Sequence, residues 1–178
     1  MIDISAIFFC VKLSNTIQEY TGLIETVGIK LDKLIGSEFE AGIRALQQAK
    51  KSENEKNYLL REARNRFNKA ISIESDIRLA LSCIGLSVCH QLLGDNDNHK
   101  DALLLLLDIE KSGYKVSDIS LSDTEGLTRS SRLMILGAFF PWGLLIEAGS
   151  ATKKENVRRN NFLIDLQTSA EQYLKELG

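Results

Sequence analysis

The residues of this chain best equipped for chemistry are three cysteines, two histidines and a run of arginines. Cys83, Cys89 and His90 fall in one short stretch. Side chains sharing a helix face sit three or four residues apart. Cys83 and Cys89 are six apart, so they are expected on different faces, as packed core thiols rather than metal ligands. His90 and His99 are also wrongly spaced for a metal pair. With Cys10 the cysteine count is odd and the spacing irregular, which is no disulfide framework. Reduced thiols fit a cytoplasmic setting. Asp95-Asn96-Asp97-Asn98 opens like a calcium loop, but such a loop needs glycine at its sixth position and glutamate at its twelfth. Lys100 and Leu106 stand there, so a polar turn that caps helix ends is expected. The sequence has no glycine-rich phosphate loop, paired-histidine helix or nucleophile elbow. No catalytic residue, metal or cofactor is therefore assigned.

Binding chemistry has better candidates. Arg61, Arg64, Arg66 and Lys69 form a basic run, with Glu53, Glu55, Glu62 and Glu74 interleaved or adjacent. It is either a solvated face or an anchor for an acidic peptide, with Arg61, Arg64 and Lys69 as candidate partner-binding residues. Lys153-Lys154 with Arg158-Arg159 reads the same way. The apolar run 133–146, with Phe139, Phe140, Pro141 and Trp142, has three readings: a kinked core helix, a partner-binding edge with Phe139, Phe140 and Trp142 at its centre, or membrane contact. It is 14 residues long, and a spanning helix needs about 20.

Long helices must position these groups. The chain has 178 residues, 44% hydrophobic and 26% charged, with one proline, Pro141. Proline breaks helix interiors, so a chain nearly free of it can hold long helices. The net charge of −2 gives no global attraction to phosphate or anionic lipid, so neither nucleic acid nor membrane is an expected partner. Asp3 stands where a signal peptide would be basic, and the apolar run from Ala6 to Val11 is short, so no export is expected.

Residues 13–35 carry two heptad rows, Ile17, Ile24 and Leu31, then Tyr20, Val27 and Leu34. This seam is a candidate association surface, expected to pair with a second copy or to fold back on its own chain. Gly22 and Gly28 would admit a close neighbouring backbone. The phase changes at Gly36-Ser37, dividing an N-terminal helix, 1–36, from a helical-hairpin domain, 37–178. Ser37 with Glu40 caps a helix over 38–50, and Ser52 with Glu55 caps one over 53–73. Ser75-Asp76 caps a helix that runs to about Leu93, is apolar on nearly all sides and belongs at the centre of the core. A short helix over 99–112, a capped helix from 122 to Phe140 and an amphipathic helix over 153–177 complete the reading. The last has Leu163, Leu166, Ala170, Tyr173 and Leu177 on one face.

The stretch Ala63-Arg-Asn-Arg-Phe67-Asn-Lys-Ala70 resembles the second helix of a tetratricopeptide repeat, in which small residues flank an aromatic. Ile84-Gly85 through Leu93-Gly94-Asp95 is similar to the first helix of a following repeat, with Ala102, Leu106 and Ile109 on its partner. The resemblance covers about residues 38–112 and is degenerate, with Ser75 in place of the usual closing proline. It implies protein-binding helical hairpins.

The expected fold is thus all-α: antiparallel helical hairpins, tetratricopeptide-like in the middle, with an N-terminal heptad-patterned helix. The expected function is a non-catalytic protein–protein interaction or scaffold module. A membrane-docking protein using 133–146, or an enzyme assembled from scattered residues, are the competing readings. With so short an apolar run the protein should stay in the aqueous phase when membranes are sedimented. Recovery with membranes after a high-salt wash would favour the membrane-docking reading instead.

Overall fold

The computed structural model describes residues 2, 4–9, 13–26, 37–74, 76–109 and 160–177. The chain divides into a unit of residues 1–113 and 162–178 and a second of residues 114–161. The expected helix over 122–140 and the apolar run 133–146 lie outside the described residues, as do Val27, Gly28, Leu31 and Leu34 of the seam.

Seven helices and no strand occur among the described residues. They are α1 (Ile4–Phe8), α2 (Leu13–Thr26), α3 (Glu38–Lys51), α4 (Lys56–Ile73), α5 (Asp76–Leu92), α6 (Asn96–Asp108) and α7 (160–177). The fold is all-helical, and consecutive helices from α3 to α6 pack side by side. The helix starts and stops are chemical. Ser37 accepts the Glu40 amide at 3.1 Å and so satisfies a free donor at the start of α3. α5 ends in a Schellman motif. Gly94 takes φ +78, the Asp95 amide reaches back to the His90 carbonyl at 2.9 Å, and the Gly94 amide reaches Gln91 at 3.0 Å.

Two boundaries differ from the sequence reading. Ser52 closes α3, its amide donating to the Gln48 carbonyl, rather than opening α4. Residues 53–55 turn, and α4 begins at Lys56 after Glu55, whose side chain makes no cap. α6 begins at Asn96, not at 99, because the Asp95 carboxylate accepts the Asn98 amide at 3.3 Å and caps the helix earlier.

The middle of the core is one aromatic ring. Phe67, on α4 between Ala63 and Ala70, is fully buried. A Cβ added at Gly42 of α3 would lie 2.9 Å from that ring, and one added at Gly85 of α5 would lie 2.7 Å from it. Two glycines on two helices thus open the gap that one phenylalanine fills. Phe39 and Tyr20 meet the same ring edge-on, at centroid distances of 6.2 and 6.0 Å. α5 is buried on every side from Ala80 to His90, as its apolar sequence requires. α7 buries Leu163, Leu166, Ala170 and Tyr173 of the expected face, and its last member, Leu177, is half-buried.

Phe67→Ala should lower stability by about 3–5 kcal/mol in denaturant unfolding. Gly42→Ala should cost about 1–3 kcal/mol by overpacking. Because both changes act on one contact, Gly42→Ala combined with Phe67→Leu should cost less than the sum of the single changes. Strict additivity would show that the ring and the glycine do not meet.

Candidate functional site

The basic run lies on α4, and the helix sorts its members. Arg66 turns toward α3, where it meets Glu38 at 3.0 Å, with Glu62 at 3.7 Å on its own helix. Arg61 and Lys69 are exposed and Arg64 is half-buried. Among the described residues no carboxylate pairs with Arg61, Arg64 or Lys69. The Arg64 charge acts instead on Cys89 of α5, although burial still pushes that thiol well above its ordinary pKa. Burial also pushes Cys83 up to about 12. Both cysteines are free, buried and protonated at neutral pH, which makes them poor nucleophiles.

The candidate seam divides. Ile17, Tyr20 and Ile24 are enclosed in the chain's own core. Tyr20 donates its hydroxyl to the Leu81 carbonyl at 2.8 Å, beside Gly85, where an added Cβ would lie 2.5 Å from that oxygen. Three seam residues thus pack in cis. Among the described residues nothing lies within 4 Å of a Cβ built at Gly22. The other candidate surface, Phe139, Phe140 and Trp142, lies outside the described residues.

A polar cluster that spacing did not reveal joins four helices. His99 of α6, only 3% exposed, stands between Ser87 of α5 and Tyr173 of α7, with the Phe8 ring of α1 edge-on at 4.7 Å. The Ser87 hydroxyl donates to the His99 carbonyl at 3.0 Å. His99 Nδ1 lies 2.7 Å from Ser87 Oγ and 3.1 Å from the Ser87 carbonyl, an acceptor only. Nδ1 must therefore carry the proton, which leaves Nε2 to accept from the Tyr173 hydroxyl at 3.1 Å. Every member is satisfied with the imidazole neutral. A serine beside a histidine is the arrangement that activates a nucleophile. Here the Ser87 proton is held by a carbonyl and Ser87 is fully buried, so no substrate reaches it. The cluster clamps helices together. Its members sit at positions 8, 87, 99 and 173, and only tertiary folding brings them together.

α1 is fastened at both ends near this clamp. The Ile4 amide donates to Ser169 Oγ at 2.8 Å, and the Phe8 carbonyl accepts from Gln91 Nε2 at 2.6 Å. The Asp95–Asn98 turn serves as a helix cap, as expected. Asn98 donates to both oxygens of Asp95, at 2.9 and 2.8 Å, and holds that carboxyl below its usual pKa. Among the described residues no three His, Cys, Asp or Glu side chains gather to hold a metal ion, and no helix is long and apolar enough to cross a membrane. A shallow cleft of about 300 Å³ between α3 and α4 is lined by Glu38, Glu40, Arg44, Glu62 and Arg66, whose charges pair with one another.

Compared with protein-family models, with curated proteins and with solved structures, the chain finds no match.

Burial lowers the His99 pKa below its ordinary 6.5, although the Ser87 carbonyl opposes the shift. The unfolded chain therefore takes this proton first as the pH falls. Stability from the clamp is complete above about pH 6.5 and is lost below it. The midpoint of thermal unfolding should drop between about pH 7 and 5.5 more steeply in the natural chain than in His99→Gln. Parallel profiles would show that His99 titrates as it does when unfolded.

Proposed function

We propose that this chain is a non-catalytic protein-binding module in which α3 to α6 form a degenerate, tetratricopeptide-like pair of helical hairpins. The observation that carries the reading is the clasp around Phe67. A ring late in α4 fills the gap left by Gly42 early in α3 and by Gly85 of the next helix. The sequence resemblance placed small residues, Ala63 and Ala70, beside that ring on its own helix; the two glycines add small residues on the neighbouring helices. Two further observations support a binding role. The one serine–histidine contact among the described residues is enclosed and serves packing. The outer face of α4 keeps Arg61, Arg64 and Lys69 without carboxylate partners among the described residues. Because Ile17, Tyr20 and Ile24 are enclosed, the reading places the partner on other surfaces.

Site-specific photo-cross-linking in the native host tests this. A photoreactive residue is placed in turn at Arg61 of α4, Glu19 of α2 and Leu104 of α6, all exposed. The expected result is a saturable protein adduct at one of these positions and not at the others. A chain that forms no adduct at any of the three would overturn the reading.

A further inference from the structure

We propose that the outward face of α4 docks an extended acidic segment of a partner protein, an inference that rests on the protein-binding reading above. The chain as a whole is slightly acidic, yet α4 carries five basic residues against one acidic. Two of the five are engaged locally. Arg66 lies against Glu38 and Glu62, and Lys56 approaches Glu53 at 3.9 Å. The other three, Arg61, Arg64 and Lys69, have no such carboxylate among the described residues. Glu38 and Glu62 are both taken up by Arg66, so neither pairs with Arg61, Arg64 or Lys69, although Lys69 lies two turns along the same side of α4 as Glu62. The basic face is not a by-product of general basicity, because the chain's net charge has the other sign.

Its other side chains select the form of the partner. At 3.6 residues per turn, Asn57, Arg61, Asn65, Asn68 and Ser72 fall along one outward line, and all five are exposed. An asparagine amide offers both donors and an acceptor. It can meet the unpaired backbone N–H and C=O groups of an extended chain. A helical partner has no such groups to offer and would need an apolar stripe to bury. The face carries no stripe: its exposed apolar residues, Tyr58 and Ile73, stand near opposite ends of α4. Spacing agrees. Arg61 and Lys69 are eight residues apart, about 12 Å along the helix. In an extended chain alternate side chains repeat every 6.6–6.8 Å or so, so carboxylates at every second residue span about 13 Å over three positions. A single exposed ion pair contributes little. The face therefore needs several carboxylates at once, and binding should be salt-sensitive.

The probe is a fluorescein-labelled peptide of alternating glutamate and threonine, titrated with the full chain by fluorescence anisotropy. A glutamine–threonine peptide and an oligo-uridylate serve as comparators. Saturable binding of the acidic peptide alone is expected. It should weaken when salt rises from roughly 0.05 to 0.3 M. Arg61→Glu with Lys69→Glu should reduce affinity by at least about tenfold, whereas Lys51→Glu, on α3, should leave it unchanged. If circular dichroism shows the double variant to be unfolded, Arg61→Gln with Lys69→Gln replaces it. Three results overturn the inference: no binding, binding indifferent to the α4 changes, or oligo-uridylate binding as tightly through the same residues. If the peptide fails while a cross-link appears on α2 or α6, the protein-binding reading stands and this surface assignment falls.

Discussion

Everything in the middle of this fold depends on a single steric bargain: Phe67 can be buried only because Gly42 and Gly85 carry no side chain. Protein interiors are packed as tightly as organic crystals, so a ring of that size fixes the distance between the helices around it. α3 and α5 both close onto the same ring, which sets α4 between them. α2 then follows. With Gly85 bare, the Tyr20 hydroxyl can lie against the surface of α5 and reach the Leu81 carbonyl. A side chain at position 85 would block that oxygen. Position 85 thus serves two aromatic residues at once, and α2 and α4 are coupled through it.

The His99 clamp does for one end of the molecule what Phe67 does for the middle, by a different physical route. Shape is not the constraint there; hydrogen-bond satisfaction is. A buried imidazole with one unmet nitrogen is costly, and this one has both nitrogens met. Ser87 and Tyr173 are tied to the same ring, with Phe8 stacked on Tyr173 at 4.9 Å. Removing one member strands the others, so the four residues act as a unit. The two centres share α5, whose burial from Ala80 to His90 has a cause: α2, α4, α6 and, through the clamp, α1 each claim a side of it.

Helix class and helix order were legible from residue patterns because they are local. The apolar period of α4, the Ser37 cap and the Gly94 stop each act within a few residues, and each appears where the pattern places it. The Ser52 boundary was misread because a serine followed three residues later by glutamate can end one helix as well as begin another. Which it does depends on where the next turn can pack. The small–large–small spacing around Phe67 was visible, but its glycine partners on α3 and α5 were not singled out, since nothing local links positions 42, 67 and 85. The seam shows the same limit. Its pattern marked Ile17, Tyr20 and Ile24 as apolar and aligned, yet alignment alone does not say whose surface they cover. The His99 cluster had no sequence signal, because hydrogen bonds between residues 12 and 74 positions apart leave no period. On α4 the charges were legible, but their sorting was not. Only the packing of α3 against α4 separates the neutralised Arg66 from Arg61, Arg64 and Lys69.

The bond from Ile4 to Ser169 spans 165 positions of sequence. A ribosome delivers α1 first and α7 late. Until α7 is made, Phe8 and the His99 side of α6 have no Tyr173 to lie against, whereas the clasp at Phe67 draws on no residue later than α5. A chain that still lacks α7 therefore leaves an aromatic face, Phe8 beside His99, without its Tyr173 cover. Chaperones that shelter nascent chains act on surfaces of that kind.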